Sequence, residues 1–497
     1  MKRNLRGSRG PSKPKRDTRN DLDVNGMSFC ARILAVVNDE GIYRTGEFID
    51  SLPAMGPGGR PKTHPSWVIA LIGLLTTPTT STSRAIVELN CSVIRPLIDV
   101  AVRQRFPDNS EYWLSNNPEY PNAEAPIKRY EYSYFKDKTE KRHPSLIGLI
   151  EGNTIQATAK ATQIGICIKE SSGTLLRPSR QGTIYGDGTV IKPRCSKMVG
   201  TKRKDNKTGK LVPVNAEIDA KLHTEGGGHV QLGMKLNFMA ARNPQENERI
   251  ILSVMPANND NEADVAVEQF KRIKELLPDA KAALYDGALH GVHLRELYQT
   301  GLVPTSRMRR ANGKKAPQRT LGTREVRNPD GTTTNLHMHL LWGLPNVMTE
   351  DINAKRILEP CEIIDRTMAK RSNGYRWYNV YKVPNESGGG TFRERLDQTD
   401  DDRAKKGKDN KPKIPFNREE HLRAIPPVDP YHDGYFSLRS DAESGNAKYD
   451  NSMVNQRSHS VGMVGTLWDA LMWQIYQNAI AVELHRRRKA AVERRAA

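Results

Sequence analysis

The chain has little cysteine, a deficit of acidic residues and no long apolar run. Its five cysteines are scattered, odd in number and without a Cys-x-x-Cys pair, which argues against a disulfide framework and a zinc knuckle. The longest apolar stretch, Trp67 to Leu75, is much shorter than the roughly 20 residues of a membrane helix. No signal-peptide core follows the basic N-terminus. We therefore expect an intracellular protein without a membrane partner.

The charge balance points to polyanions as partners. Lys and Arg number 77 against 57 Asp and Glu, which gives a formal net charge of +20. Such an excess attracts nucleic acid and makes the association salt-dependent, although ribosomal and membrane-surface proteins share it. The 497 residues are too many for one ordinary core, so about two to four domains are expected.

Composition and hydrophobic periodicity divide the chain into successive segments. The first residues mix Lys and Arg with Gly, Ser and Pro and cannot build a core. Helical spacing then begins, with Ser81 or Thr82 as a cap for a helix that includes Ile86. The predicted segments are a disordered basic arm (1–25), a helical domain (26–130), a connecting region (131–180), a first core part (181–306), an insertion with its own β structure (307–432), a second, helical core part (433–485) and a basic tail (486–497).

Residues 182–306 carry the most regular pattern. The expected elements are three strands, a helix, a strand, a helix and a final strand, an order that predicts a mixed α/β sheet and resembles the ribonuclease-H-like fold. Their ranges are Thr183–Ile191, His229–Ala241, Arg249–Met255, Glu262–Leu277, Ala282–Asp286, His293–Thr300 and Leu302–Ser306.

Two carboxylates in these strands are candidate metal ligands. Asp187 sits in the middle of an apolar strand, where a charge is costly unless it is paired or liganded. Its flanking glycines leave room for close approach of another group. Asp286 ends its strand, and ligands collect beyond the ends of parallel strands in α/β sheets. Taken alone, each of these Asp-Gly pairs is more typical of a turn than of a metal ligand. Together, in strands that can be adjacent, the two residues indicate a metal site.

A third carboxylate, Glu443, lies far along the chain in a polar segment that can be helical. If it is helical, Tyr435, Arg439 and Glu443 share one face because they follow a spacing of four. The alternative role for Glu443 is an intrahelical ion pair with Arg439. Asp433 and Asp441 are rival third carboxylates, and spacing alone does not separate the three.

These motifs resemble the DDE-type insertion-sequence transposases whose third catalytic residue lies in a Tyr–Arg–Glu–Lys motif after a β-rich insertion. The likeness covers most of residues 55–485 and is strongest at 182–306 and 433–484. Gly-Arg-Pro before an apolar helix also resembles that family's N-terminal domain. One departure concerns the motif: the family pattern has two residues between Tyr and Arg and six between Glu and Lys, whereas this chain has three and four.

The resemblance implies metal-dependent cleavage and transfer of DNA strands. Asp187, Asp286 and Glu443 would hold two Mg²⁺ ions, with Mn²⁺ as the alternative ion. The expected partners are double-stranded DNA, as element ends and as target, and a second copy in a homodimer. The expected location is the bacterial cytoplasm, at the nucleoid. The expected DNA contacts are Arg439, Lys448 and Tyr435, together with Arg307, Arg309 and Arg310 in the basic loop that opens the insertion.

Two other functions remain compatible with these residues. One is an inactive or domesticated transposase that only binds DNA, against which the presence of all three carboxylates argues. The other is a ribonuclease-H-like nuclease that selects DNA structures and never rejoins strands. Metal-dependent cleavage of an element end and a strand-transfer product would separate the three.

Overall fold

The computed structural model describes most of the chain. The predicted basic arm (1–25), Arg309 and Arg310 lie outside the described residues. None of the described helices combines the length and the apolar character that a bilayer span requires. The described residues are 26–52, 62–195, 200–205, 208–213, 217–224, 230–257, 261–308, 318–350, 356–398 and 417–496.

Seven described helices precede the first strand. Their termini follow local chemistry: Ser28 and Ser81 cap α1 and α4, their hydroxyls accepting from the amides of Ala31 and Arg84. Every residue of α3 is buried, as its continuous apolar sequence predicts. The helices are Phe29–Val37 (α1), Glu40–Ser51 (α2), Ser66–Thr76 (α3), Thr82–Leu89 (α4), Ile94–Arg105 (α5), Arg129–Arg142 (α6) and Ile147–Gln163 (α7).

The central sheet has the strands β6, β5, β1, β7 and β8 side by side, with β4 on the first half of β5. β1 is antiparallel to β5, and β5 is antiparallel to β6. β1 is parallel to β7, and β7 is parallel to β8. The strands are Thr183–Ile191 (β1), Lys221–Thr224 (β4), Val230–Arg242 (β5), Arg249–Pro256 (β6), Ala282–Leu284 (β7) and Val303–Thr305 (β8), while Lys202–Lys204 (β2) and Leu211–Pro213 (β3) form a separate pair.

Helices cover both faces of this sheet. Glu262–Leu276 (α8) and Gly291–Thr300 (α9) lie between its strands in sequence and pack with α7 in one apolar cluster. The opposite face, which includes Phe238, packs against the C-terminal helices. The prediction of a mixed α/β sheet with these strands and helices is confirmed, with ends that shift by one or two residues.

A second sheet follows β8 in sequence, and its strands are all antiparallel. The predicted β structure of the insertion is therefore confirmed. Its spatial order is β12, β11, β10, β9, β15, β14 and β13. Their bounds are Gln318–Arg327 (β9), Thr333–Leu341 (β10), Leu344–Glu350 (β11), Arg356–Pro360 (β12), Glu362–Arg371 (β13), Gly374–Lys382 (β14) and Thr391–Arg395 (β15).

The C-terminal helices return the chain to the central sheet. Asp429 caps α11, where Pro430 occupies the first turn without loss of a hydrogen bond. A 3₁₀ turn at Ser437–Arg439 then continues the chain into α12, whose contacts are with β1 and β5. The helices are Arg418–His421 (α10), Pro430–Phe436 (α11), Ser440–Ser452 (α12) and Gly462–Ala496 (α13). The predicted basic tail continues α13 as far as Ala496.

Candidate active site

The pairing of β1 with β7 places Asp187 and Asp286 at the same level of the sheet. The register pairs Tyr185 with Leu284. Asp187 is two residues further along β1, in the middle of that strand, and Asp286 is two residues beyond the end of β7. Asp187 therefore lies beside the point where β7 ends, and ligands of open α/β sheets collect beyond such strand ends.

Asp187 is held in a setting that disfavours its charge. Burial, and then the negative charge of Asp286, raise its pKa from 3.8 to about 7. Glu262 and Glu443 act in the same direction, whereas Arg439 opposes them. The Asp187 side chain thus stands where negative charges converge, and a bound cation would relieve that repulsion.

Glu443 comes to this place on α12. Its side chain is 51% exposed, and its Oε1 lies 2.7 Å from Nη2 of Arg439. The intrahelical ion pair that sequence reasoning kept as an alternative is therefore present. The same helix reaches Asp187 through Asn446, whose Nδ2 lies 3.0 Å from Oδ2 of that carboxylate, and the charges of Arg439 and Glu443 both act on the pKa of Asp187. Glu443 can therefore pair with Arg439 and still belong to the candidate active site.

The two rival carboxylates have other surroundings. The side chain of Asp433 is 95% exposed and lies 3.3 Å from its neighbour His432. Asp441 is buried and is surrounded by guanidinium groups of Arg180, Arg242 and Arg249. Asp441 is therefore already neutralised within the protein. Glu443, in contrast, is one of the carboxylates whose charge raises the pKa of Asp187.

Two polar side chains that sequence reasoning did not single out complete the surroundings of Asp187. Asn446, one turn after Glu443 on α12, donates from Nδ2 to Oδ2 of Asp187 over 3.0 Å. Asn446 follows Glu443 by three residues, and residues at that spacing are neighbours on a helix, so the spacing could have identified Asn446 from the sequence. Glu262 begins α8. An acidic residue is common there because it stabilises the helix, so the sequence does not mark Glu262 as a residue of the site.

Glu262 is fixed by its neighbours. Its Oε1 accepts a hydrogen bond from the Tyr285 hydroxyl at 2.8 Å, and its carboxylate pairs with Lys235. A Cβ atom at Gly188 would lie only 2.5 Å from that same oxygen. The glycine after Asp187 is therefore needed for the approach of Glu262 rather than for a turn.

The residues that were expected to contact DNA lie in different parts of the structure and differ in exposure. Arg307 is exposed, and its Cβ would lie 3.8 Å from a Cβ atom at Gly287, beside Asp286. Tyr435 is only 3% exposed, and its hydroxyl lies 3.1 Å from Oγ1 of Thr183. That tyrosine thus anchors α11 to the start of β1. Lys448 is exposed and contributes to a pocket shared with Arg249.

The donor chemistry of the site fits a hard divalent cation. Carboxylate oxygens are the ligands that Mg²⁺ and Mn²⁺ prefer, and burial together with the negative charge of Asp286 raises the pKa of Asp187. Among the described residues, no three His, Cys, Asp or Glu side chains stand close enough to hold an ion together. Glu443 would therefore have to leave Arg439 to join Asp187 and Asp286 around a cation.

No family model, curated protein or solved structure matches this chain in the comparisons made. The residues and their geometry alone carry the functional inference.

Proposed function

We propose that this protein is a DNA transposase of the DDE class, which cleaves the strands at the ends of a mobile element and joins them to a target. The observation that carries the proposal is the placement of Asp187 on β1 beside the end of the parallel strand β7, which leads directly to Asp286, with the pKa of Asp187 raised to about 7. The return of Glu443 to this end, after an intervening β sheet, supports it further.

We also propose that the central sheet is a ribonuclease-H-like core. The strand order β6, β5, β1, β7, β8 supports this proposal. So do the strand directions: β6, β5 and β1 are antiparallel to their neighbours, whereas β1, β7 and β8 are parallel. Helices lie on both faces, as that fold requires. The second sheet stands between β8 and the C-terminal helices in sequence, where the resembling family carries its insertion.

Each residue has a defined task in this proposal. Asp187 and Asp286 bind divalent cations through their carboxylate oxygens, and Glu443 completes one site. Two such cations, when bound, activate a water or a 3′-hydroxyl and stabilise the departing 3′-oxygen. Asn446 orients the Asp187 carboxylate through its amide. Arg439 holds Glu443 beside the site through its ion pair, and Glu443 would exchange this partner to serve as a cation ligand.

The substrate class follows from charge and from the exposed cations near the acids. The net charge of +20 favours association with a polyanion. Arg307 beside Asp286 offers a phosphate contact within reach of the carboxylates. Double-stranded DNA as element end and target, and a homodimer that joins two ends, belong to the same proposal.

A strand-transfer assay tests the proposal. Duplexes taken from the DNA that flanks the gene, where inverted repeats would mark the element ends, are incubated with the protein, Mg²⁺ and a plasmid target. A transposase gives labelled ends joined to the plasmid. Cleavage of branched DNA without end sequences and without joining would identify a nuclease, and binding of the ends without cleavage would identify an inactive transposase.

A further inference from the structure

A pocket that shares no residue with the candidate active site lies between the N-terminal helices and the C-terminal part of the chain. Its volume is about 580 Å³. Its walls are α6, the start of α4 and the segment 454–461 before α13, with Arg194 and Asp469 as single contributions from two other elements. We call it the α6 pocket.

One face of α6 lines this pocket, and that face is almost entirely polar. Its residues recur at spacings of three and four, which places them on one side of the helix. They are Arg129, Tyr132, Ser133, Lys136, Asp137 and Glu140. Because this side of α6 borders an opening rather than a packed core, the helix has few apolar residues.

The buried side of the α6 pocket holds charges that compensate one another but leaves hydrogen-bonding positions open. Nζ of Lys136 lies 3.0 Å from Oε1 of Glu140 and 3.7 Å from Oδ1 of Asp469. Asp469 is only 5% exposed, and its Oδ2 has no hydrogen-bond donor in the part of the chain that the structure describes. Nε2 of His459 is also buried without a partner there, and burial lowers the pKa of this imidazole, which keeps it neutral.

These two open positions indicate the kind of group that the buried side accepts. Unpaired polar atoms in a buried place are costly. The free oxygen of Asp469 needs a donor, whereas the neutral ring of His459 donates or accepts according to its tautomer. A hydroxyl group both donates and accepts, so ligand hydroxyls satisfy the two positions.

The outer side of the α6 pocket carries three arginines, Arg129, Arg194 and Arg457. Arg129 and Arg194 are exposed. The guanidinium groups donate to neutral oxygens: Arg129 to Oγ of Ser83 at 3.2 Å and Arg457 to the carbonyl of Pro193 at 2.8 Å. None of the three forms an ion pair with a carboxylate among the described residues. An anion that enters the pocket therefore meets uncompensated positive charge.

The start of α4 adds neutral donors to the same pocket. Ser81, Thr82 and Ser83 line it. The amides of a first helical turn have no carbonyl partner within their helix. The hydroxyl of Ser81 caps the amide of Arg84, which leaves the amides of Thr82 and Ser83 to another acceptor. Arginines together with the amides of a helix start are the groups that bind phosphate in proteins.

We propose that the α6 pocket binds a sugar phosphate, with its phosphate at the three arginines and the start of α4 and its hydroxyls at Asp469 and His459. The inference goes beyond the proposed function and does not depend on the carboxylate chemistry. Inorganic phosphate alone would leave the buried side unsatisfied. Tyr132 is 4% exposed and offers little ring surface on which a nucleobase stacks, so the sugar phosphate is the part that is recognised.

Calorimetric titration of the full chain with ribose 5-phosphate, ribose and inorganic phosphate tests the proposal. We expect ribose 5-phosphate to bind at least roughly tenfold more tightly than inorganic phosphate, because only the sugar reaches Asp469 and His459. Ribose alone should not bind measurably. Equal affinities for ribose 5-phosphate and inorganic phosphate would make the pocket a small-anion site and overturn the proposal.

Two further titrants separate the sources of the sugar phosphate. Adenosine 5′-monophosphate presents the same group within a nucleotide. A tighter fit than that of ribose 5-phosphate would support the pocket with a nucleotide as its ligand, and a weaker fit would support it with a free sugar phosphate. Duplex DNA should not displace ribose 5-phosphate. Displacement by the duplex would assign the pocket to the DNA backbone and overturn its assignment to a small molecule.

Arg194→Gln tests the phosphate end, because Arg194 is exposed and its loss leaves the fold intact. We expect roughly tenfold weaker binding of ribose 5-phosphate from the loss of one charged donor. The matched control is Arg376→Gln, which changes an exposed arginine on β14 and should bind as the wild type does. Unchanged affinity of Arg194→Gln would overturn the placement of the phosphate.

Asp469→Asn tests the sugar end. Its affinity for ribose 5-phosphate should fall to that for inorganic phosphate, while its affinity for inorganic phosphate stays as in the wild type. An equal loss of both affinities would show a structural role for Asp469 and overturn the placement of the sugar.

Failure of this inference and failure of the proposed function give different results. Strand cleavage by a protein that does not bind ribose 5-phosphate would overturn the α6 pocket and leave the proposed function. Binding of ribose 5-phosphate by a protein that never cleaves DNA would support the pocket and reject the enzymatic proposal.

Discussion

Asp187 on β1 lies beside Asp286, because each residue follows by two positions the last pair of β1 and the parallel strand β7, Tyr185 and Leu284. This relationship explains the raised pKa of Asp187, since Asp286 is the largest contributor after burial itself. It also makes the two carboxylates dependent on each other, because a cation bound to one relieves the repulsion on both.

The pH dependence of stability should reveal Asp187 directly. Its pKa is about 7 in the folded protein against 3.8 in the unfolded chain. A raised folded-state pKa gives stability that is fully present below the unfolded value and is lost as the pH rises through about 7. Asp187→Asn removes this loss, so the variant should gain roughly 1–3 kcal/mol over the wild type between about pH 4 and pH 8.

Urea unfolding at several pH values, without divalent ions, measures this gain. Asp433→Asn is the matched control, because that side chain is 95% exposed and the substitution should add no comparable pH dependence. A stability difference between wild type and Asp187→Asn that stays constant with pH would show that the carboxyl does not titrate in this way.

Divalent ions should stabilise the folded protein through the same carboxylates. A ligand that binds only the folded state raises the melting temperature by mass action. We expect millimolar Mg²⁺ or Mn²⁺ to raise the Tm by a few degrees at about pH 8, and this rise should vanish in Asp187→Asn and Asp286→Asn. Scanning calorimetry is the measurement, and an equal rise in both variants would place the ions elsewhere.

Asn446 should act on the site through Asp187. Its amide donates to Oδ2 of Asp187, so Asn446→Ala frees that carboxylate to rotate. Removal of a group that hydrogen-bonds to a metal ligand commonly lowers metal affinity or activity by about 10–100-fold. The concentration of Mg²⁺ that gives half-maximal cleavage should therefore rise by roughly tenfold. An unchanged metal dependence together with a slower reaction would assign Asn446 to another step.

The two neighbouring acids of α12 should behave differently. Glu443→Gln should abolish strand cleavage with little change in stability, because the side chain is half exposed. Asp441→Asn should lower the free energy of unfolding by about 3 kcal/mol, because it leaves three arginines without their carboxylate. Cleavage assays and urea unfolding of both variants decide the matter. The reverse pattern would exchange the roles of the two residues.

The strands around Asp187 could be predicted well because each is an apolar run with a clear break in the pattern at its ends. The position of Asp286 could also be predicted from the sequence, since a carboxylate that follows a short parallel strand emerges at the end of that strand. The connecting region was harder: α6 and α7 continue the helical layer there, although α6 is polar and has few apolar residues to mark a face.

Other features depend on tertiary contacts that spacing does not encode. The sequence does not distinguish Asp441 from Glu443 as the third carboxylate. The structure distinguishes them, because arginines from β5, β6 and the segment before β1 lie against Asp441. Glu262 lies in the space beside Gly188, next to Asp187 in sequence. The pocket beside α12 likewise combines Arg242 and Lys448 from distant parts of the chain.

Cleavage of an end-labelled DNA duplex by wild type and by Asp187→Asn, with Mg²⁺ or with a chelator, tests the central claim most directly. We predict that the wild type nicks the strand at the element end only with the ion, and that Asp187→Asn binds the same duplex with nearly unchanged affinity without nicking it. Normal cleavage by Asp187→Asn, or cleavage by the wild type in the chelator, would contradict the assignment of a metal-dependent site to Asp187 and Asp286.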